Sequence, residues 1–212
     1  SYTISNSTIV FAAALTTDDS IDFITVLGDT LDLGTPSDGT VVPASLGTTA
    51  VTALTAGTGI TSGTNTVYRS DVQKLGNIYH TRILIDLTGL ASSGSGDIIG
   101  KAGTANSHIG QITAAINGTV LSGKITCMEA PAGGDPDINL WYADEATGAE
   151  DAAITSLTNQ IQMCDSGDFA IGTVVGIPTP PAADKYLYMV TGAATNADYT
   201  AGKLLIELFG YV

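Results

Sequence analysis

Between Lys203 and Val212 the side chains divide into two sets, Leu204, Ile206 and Leu208 in one and Lys203, Leu205, Glu207 and Phe209 in the other. Successive side chains of an extended chain point to opposite faces, so this is a strand with one wholly apolar face and one mixed face. A second run, Tyr186–Val190, precedes it across a Gly/Asn/Asp-rich connection over 191–202. Such a pair needs a sheet to lie in, and the rest of the chain is suited to supply one. Charged residues make up only 13%, about half the ~25% of an average domain. Threonine and 25 glycines take their place; threonine is β-branched and favours strands, and glycine supplies the turns between them. The fold class that follows is all-β.

Further strands are readable on the same grounds. Tyr79–Leu87 is closed by Thr88-Gly89, and Ile138–Tyr142 alternates again. Thr173–Ile177 is stopped by Pro178, Pro180 and Pro181. His108–Ile116 and Thr119–Met128 flank Asn117-Gly118, which accepts the positive φ angles of a type I′ turn and so predicts a hairpin. Pro131–Pro136 reads as a loop and Ser92–Gly96 as a flexible one. In Glu150–Gln162 the residues Ile154, Leu157 and Ile161 fit a helical face, so a short helix or an irregular crossing between sheets is expected. Short strands separated by turn signals predict an antiparallel, jelly-roll-like β-sandwich.

The composition shifts near residue 78. Upstream, Ile21–Leu27 and Gly39–Val42 are short apolar pieces in a Thr/Gly-rich background, and Thr52–Thr64 approaches low complexity. A segment of that kind buries little by itself, and is either draped over something or held by neighbours. The expected organisation is an extended N-terminal region over 1–78 that mediates subunit contacts, followed by a sandwich over 79–212. The stretch Val41–Ile60 has few charges to keep other chains from pairing with it, so homo-oligomer formation is expected.

The net charge is −14 and no Lys or Arg precedes Arg69, which points away from nucleic acid, since phosphate binding needs clustered bases. The apolar run Ile9–Leu15 is far shorter than the ~20 residues of a membrane helix and lacks the basic flank of a signal peptide. With Ser1 read as the residue left after removal of an initiator Met, folding in the host cytoplasm is expected. Cys127 and Cys164 are expected to be buried free thiols, because a domain of this size does not need a disulfide.

Little in the sequence is equipped for chemistry. His80 and His108 both fall in expected strands without a metal-ligand spacing around them. Gly57-Thr-Gly59 lacks the Lys of a phosphate loop, and no nucleophile elbow occurs. No catalytic residue, cofactor or metal is therefore assigned. Acidic residues do crowd one span, from Asp135 and Asp137 through Asp144, Glu145, Glu150 and Asp151. A solvated loop rim is the plainer reading; the sharper one is Ca²⁺ held by Asp135 and Asp137, which the Asp-Pro-Asp loop could offer outside any EF-hand pattern. A paired-carboxylate glycosidase would be expected to bring more than the single Trp141 to stack on sugar. Trp141 and Tyr142 are the residues a glycan-binding module would use.

Several segments resemble virion structural proteins of tailed bacteriophages, especially those of marine bacteria. They are Thr81–Leu90, Asp97–Gly100, His108–Thr113, Ala132–Ile138 and Tyr199–Tyr211, whose order runs through roughly the C-terminal two-thirds of the chain. The resemblance implies a non-enzymatic component of the phage particle. No spine helix of a major capsid protein and no fibre repeat or heptad is visible. A small acidic β-protein instead suits a capsid decoration, or cement, protein on the outer head surface, bound to the major capsid protein and to copies of itself as a homotrimer. The other expectation is a head-fibre or tail-associated module that recognises a host surface glycan.

Overall fold

The computed structural model describes residues 2–5, 8–14, 16–17, 53–61 and 66–212. Residues 1–41 and 42–212 form two separate units. In the first, β1 (Tyr2–Ser5) and β2 (Thr8–Phe11) pair antiparallel with Tyr2 opposite Phe11. The short apolar pieces Ile21–Leu27 and Gly39–Val42, residues 41–52 of the association-prone stretch, and most of the extended N-terminal region lie outside the described residues.

The second unit is an antiparallel β-sandwich. Its strands are β3 (Tyr68–Leu75), β4 (Ile78–Asp86), β5 (Ala91–Ser92), β6 (Gly110–Ile112), β7 (Thr119–Ala132), β8 (Ile138–Ala143), β9 (Ile161–Cys164), β10 (Val174–Gly176), β11 (Lys185–Thr191), β12 (Ala197–Asp198) and β13 (Ala201–Tyr211). One sheet has the order β10-β7-β13-β4-β3 and the other β6-β11-β8-β9, with β12-β5 as a small pair. β3 and β4 form a hairpin about Gly76-Asn77, so the sandwich takes in residues on both sides of 78.

The alternation read from β13 decides where the core lies. Leu204, Ile206 and Leu208 are each 1% exposed and share one cluster with Ile83, Ile85 and Ile125 of the same sheet. Leu140, Tyr142, Met163, Leu187 and Met189 enter that cluster from the facing sheet. Each fully buried Ile or Leu there contributes about 1.5–3 kcal/mol of transfer free energy. Cys127 and Cys164 belong to the same core as free thiols.

β8 and β11 are buried on both faces. Ile98, Ala143, Ile154, Tyr188 and Val190 form a second cluster, with Trp141, Leu157 and Tyr186 packed against it. Tyr188 donates to Glu145 O (2.5 Å), which ties the loop after β8 over this outer face.

Four sequence expectations need correction. Asn117-Gly118 is not a hairpin turn. β6 and β7 lie in different sheets, and a single helical turn, α2 (Ala114–Asn117), carries the chain between them. Thr113 caps α2 through its side chain (Ile116 N to Oγ1, 3.3 Å), an interaction that competes directly with a two-residue turn. Gly118 follows at φ +65°, where a Cβ would sit 2.8 Å from Tyr211 O. Second, β7 runs through Pro131 to Ala132; the irregular register opposite Ala201–Lys203 tolerates the missing N–H. Third, of the two alternatives for Glu150–Gln162 the short helix is present, as a 3-10 turn over Ile154–Ser156, but the crossing is not: the span returns to β9, the neighbour of β8 in the same sheet. Fourth, Ser92 and Ser93 are buried, and the Ser92 hydroxyl donates to Thr195 O (2.6 Å) while accepting from Asp135 N (3.0 Å).

Residues 53–61 are a plug in the core. Leu54 and Ile60 are buried, and α1 (Thr58–Thr61) is anchored by Gly57 N to His108 O (2.8 Å). The approach is so close that a Cβ on Gly57 would overlap Asn106 O at 1.8 Å.

Candidate interaction face

The outward face of the five-stranded sheet is built row by row from strand register, since residues directly opposite one another share a face. At one end Leu75, Ile78 and Tyr211 are cross-strand partners, exposed by 80%, 52% and 51%. The next row sets Gln73, His80, Phe209 and Ser122 side by side. His80 stacks on Phe209 with ring centroids 4.7 Å apart and its Nε2 lies 3.0 Å from Glu207 Oε1.

The third row is a charge ladder, Asp71–Arg82–Glu207–Lys124. Arg82 engages both carboxylate oxygens of Asp71, and Lys124 Nζ lies 3.0 Å from Glu207 Oε2. Beyond it come Arg69, Leu84, Leu205, Thr126 and Val174, an apolar row with one cation at its end. The last row is Asp86–Lys203–Glu129, with Lys203 ion-paired to both neighbours. A shallow groove of about 320 Å³ runs over Arg69, Asp71, Arg82, Leu84 and Leu205.

Charge sets this face apart. Arg69, Arg82, Lys124 and Lys203 are matched by Asp71, Asp86, Glu129 and Glu207, so the face is neutral and the whole formal charge of −14 lies elsewhere in the chain. Four of the seven basic residues are gathered here. An acidic protein repels its own kind and other acidic surfaces; this sheet face is where that repulsion is locally cancelled.

Burial opposes ionisation of Glu207, but hydrogen bonds from Lys124 and His80 outweigh it and hold its carboxyl below the usual range. Asp86 is likewise held low: its burial is outweighed by hydrogen bonds from Thr88 and by Lys203. A carboxyl whose folded pKa is depressed stabilises the fold above its unfolded value and loses that contribution as pH falls through the folded value. Denaturant titrations between pH 7 and 2 are expected to show stability falling below about pH 4, with a shallower fall in Glu207→Gln. An unchanged slope in that variant would contradict the ladder.

The residues singled out by sequence are distributed differently. Trp141 and Tyr142 are adjacent on β8 and point to opposite sides: Trp141 packs on the outer cluster, while Tyr142 is 7% exposed in the inter-sheet core. They do not form one platform. His108 precedes β6 instead of lying in a strand; it is buried edge-on to Tyr186, and burial lowers its pKa. Asp144 and Glu145 are not a bare acidic rim, since Asp144 is paired with Lys185 and Asn159 and Glu145 accepts from Thr158 N (2.7 Å). Glu150 accepts from Gly103 N (2.8 Å). Asp135 is buried and Asp137 half-buried, and among the described residues no group of three or more His, Cys, Asp and Glu is placed to hold a metal ion.

No family model, curated protein or solved structure matches this chain. No helix among the described residues is long and apolar enough to cross a membrane. The residues of the sheet face were largely missed by sequence reasoning: only the mixed set on β13 was visible, because the partners on β3, β4 and β7 are brought alongside by register alone.

Proposed function

We propose that this chain is a non-enzymatic structural component of a phage particle, a capsid decoration protein that adheres to the outside of the head shell. The observation that carries this reading is the neutral, open face of the five-stranded sheet, with exposed Leu75, Ile78, Tyr211 and Val174 around a paired charge ladder, on a chain of net charge −14. Interfaces combine apolar anchors with satisfied charges in this way. The resemblance of Thr81–Leu90, Ala132–Ile138 and Tyr199–Tyr211 to virion proteins of tailed phages supports the setting, and with it the major capsid protein and further copies of this chain, as a homotrimer, as partners.

The sheet face measures roughly 30 Å along the strands and 24 Å across them, from ~3.3 Å per residue and ~4.8 Å per strand. That is near the ~800 Å² each partner buries in a standard interface. The test is co-sedimentation of the purified full chain with expanded empty heads of the phage that encodes it. Leu205→Glu puts a third acid beside Glu129 and Glu207 in the centre of the face. It is expected to weaken head binding by about 30-fold or more, the effect of ~2 kcal/mol at a central contact, with a melting temperature within a few degrees of the wild type. Undiminished binding by that variant, or no binding by the wild type, would overturn the proposal.

A further inference from the structure

Away from that face, two aspartates each hold a buried carboxylate oxygen that the fold itself does not pair. Asp135 is 1% exposed. Its Oδ1 accepts from Asp137 N (3.0 Å), while its Oδ2 is buried with no hydrogen-bond partner among the described residues. Asp137 Oδ1 is buried and unpartnered as well. The Asp137 carboxylate is pressed against the backbone of Gly192, where a Cβ would lie 2.1 Å from Oδ1, and Asp137 O accepts from Gly192 N (2.7 Å). The 165–168 loop comes alongside: Asp137 and Asp168 form a β-bridge, and Phe169 N donates to Pro136 O (3.0 Å).

Among the described residues, the charged groups that raise the Asp137 carboxyl are acidic. Burial raises its carboxyl first, and Asp165, Asp135 and Asp168 raise it further. Buried charge is normally paired or coordinated. Among the described residues, Arg82, Lys124, Lys185 and Lys203 are ion-paired to carboxylates other than these four. Two unpartnered buried carboxylate oxygens within an acidic shell call for a hard cation.

We propose that Asp135 and Asp137 hold a calcium ion through these two oxygens, with Asp165 and Asp168 supplying the surrounding negative charge, so that the loop before β8 and the loop after β9 are clamped together. Two carboxylates fall short of a three-residue constellation of His, Cys, Asp or Glu. Calcium nonetheless takes about six to eight oxygens, which include backbone carbonyls and water, in a flexible geometry. Magnesium demands a near-ideal octahedron and gives up its water reluctantly, so loop carboxylates of this kind favour calcium. The competing resolution is a proton on Asp137. The clamp is independent of the role proposed for the sheet face, and head binding is no part of its test.

The full chain, stripped with EDTA at pH 7.5, is titrated with CaCl₂ to about 10 mM, well above the ~0.1–1 mM at which weaker extracellular calcium modules bind. Melting temperature and calorimetric heat are followed. The expected result is one site and a melting temperature that rises with the logarithm of calcium concentration, with a clearly smaller response to Mg²⁺. Asp137→Asn is expected to abolish the response. Asp168→Asn, at an exposed position, is expected to leave the fold intact and to weaken binding about tenfold, and so decides the case if the first variant does not fold. No rise at 10 mM Ca²⁺ would overturn the site in favour of a protonated Asp137. A rise that persists undiminished in Asp168→Asn and Asp137→Asn would overturn it in favour of diffuse binding to the acidic surface.

Discussion

Ile206→Ala is expected to lower the unfolding free energy by about 2–5 kcal/mol, whereas Leu205→Ala, one residue earlier on β13, costs less than about 1.5 kcal/mol. Ile206 is 1% exposed between Ile83 of β4 and Ile125 of β7 in register, so truncation removes transfer free energy and leaves a cavity that two flanking strands cannot close. Leu205 is half-buried on the opposite face, where loss of its side chain opens no internal space. Domains of this kind are stable by only about 5–15 kcal/mol, so the Ile206 variant gives up a large share of the total. Urea titrations of the two variants check the assignment of faces: equal losses would mean that the strand is not one-sided.

Asn117→Ala is expected to cost about 2–4 kcal/mol, far more than a turn residue would. Asn117 is fully buried; its Oδ1 accepts from Thr113 N (3.0 Å) and its Nδ2 donates to Thr81 Oγ1 (2.8 Å) on β4. Removing the amide leaves the Thr113 N–H and the Thr81 hydroxyl without that partner at a place where α2 crosses from one sheet to the other, and buried polar groups left unpaired carry the full cost of desolvation. A loss below about 0.5 kcal/mol in urea would show that the crossing is held by something else.

The same residue shows where sequence pattern stops being informative. Asn-Gly between two alternating runs is the local signature of a hairpin, and the local preference is real. It is overridden because Asn117 spends its side chain on Thr81, a residue 36 positions away, and because the two flanking runs are needed by different sheets. β4, β11 and β13 were legible because alternating burial or a continuous apolar run is written into each of them. β3 was not, because among Tyr68–Leu75 only Val72 is buried and an edge strand needs few apolar residues. Ser92–Gly96 looked like a flexible linker by composition, yet its order comes from hydrogen bonds to residues 43 to 105 positions away. The sheet face follows the same logic: Lys203, Leu205, Glu207 and Phe209 were visible as a mixed set, but charge neutrality appears only when Arg69 and Asp71, Arg82 and Asp86, and Lys124 and Glu129 are aligned beside them.

A density map of the intact phage particle addresses the central claim most directly, because it fixes both the location of the chain and the side it turns toward its neighbours. The expected result is density for this sandwich on the outside of the head, with Leu84, Leu205, Phe209 and Tyr211 covered by a neighbouring subunit. A particle without the chain, or one in which the outward face of the five-stranded sheet is bathed in solvent, would contradict it.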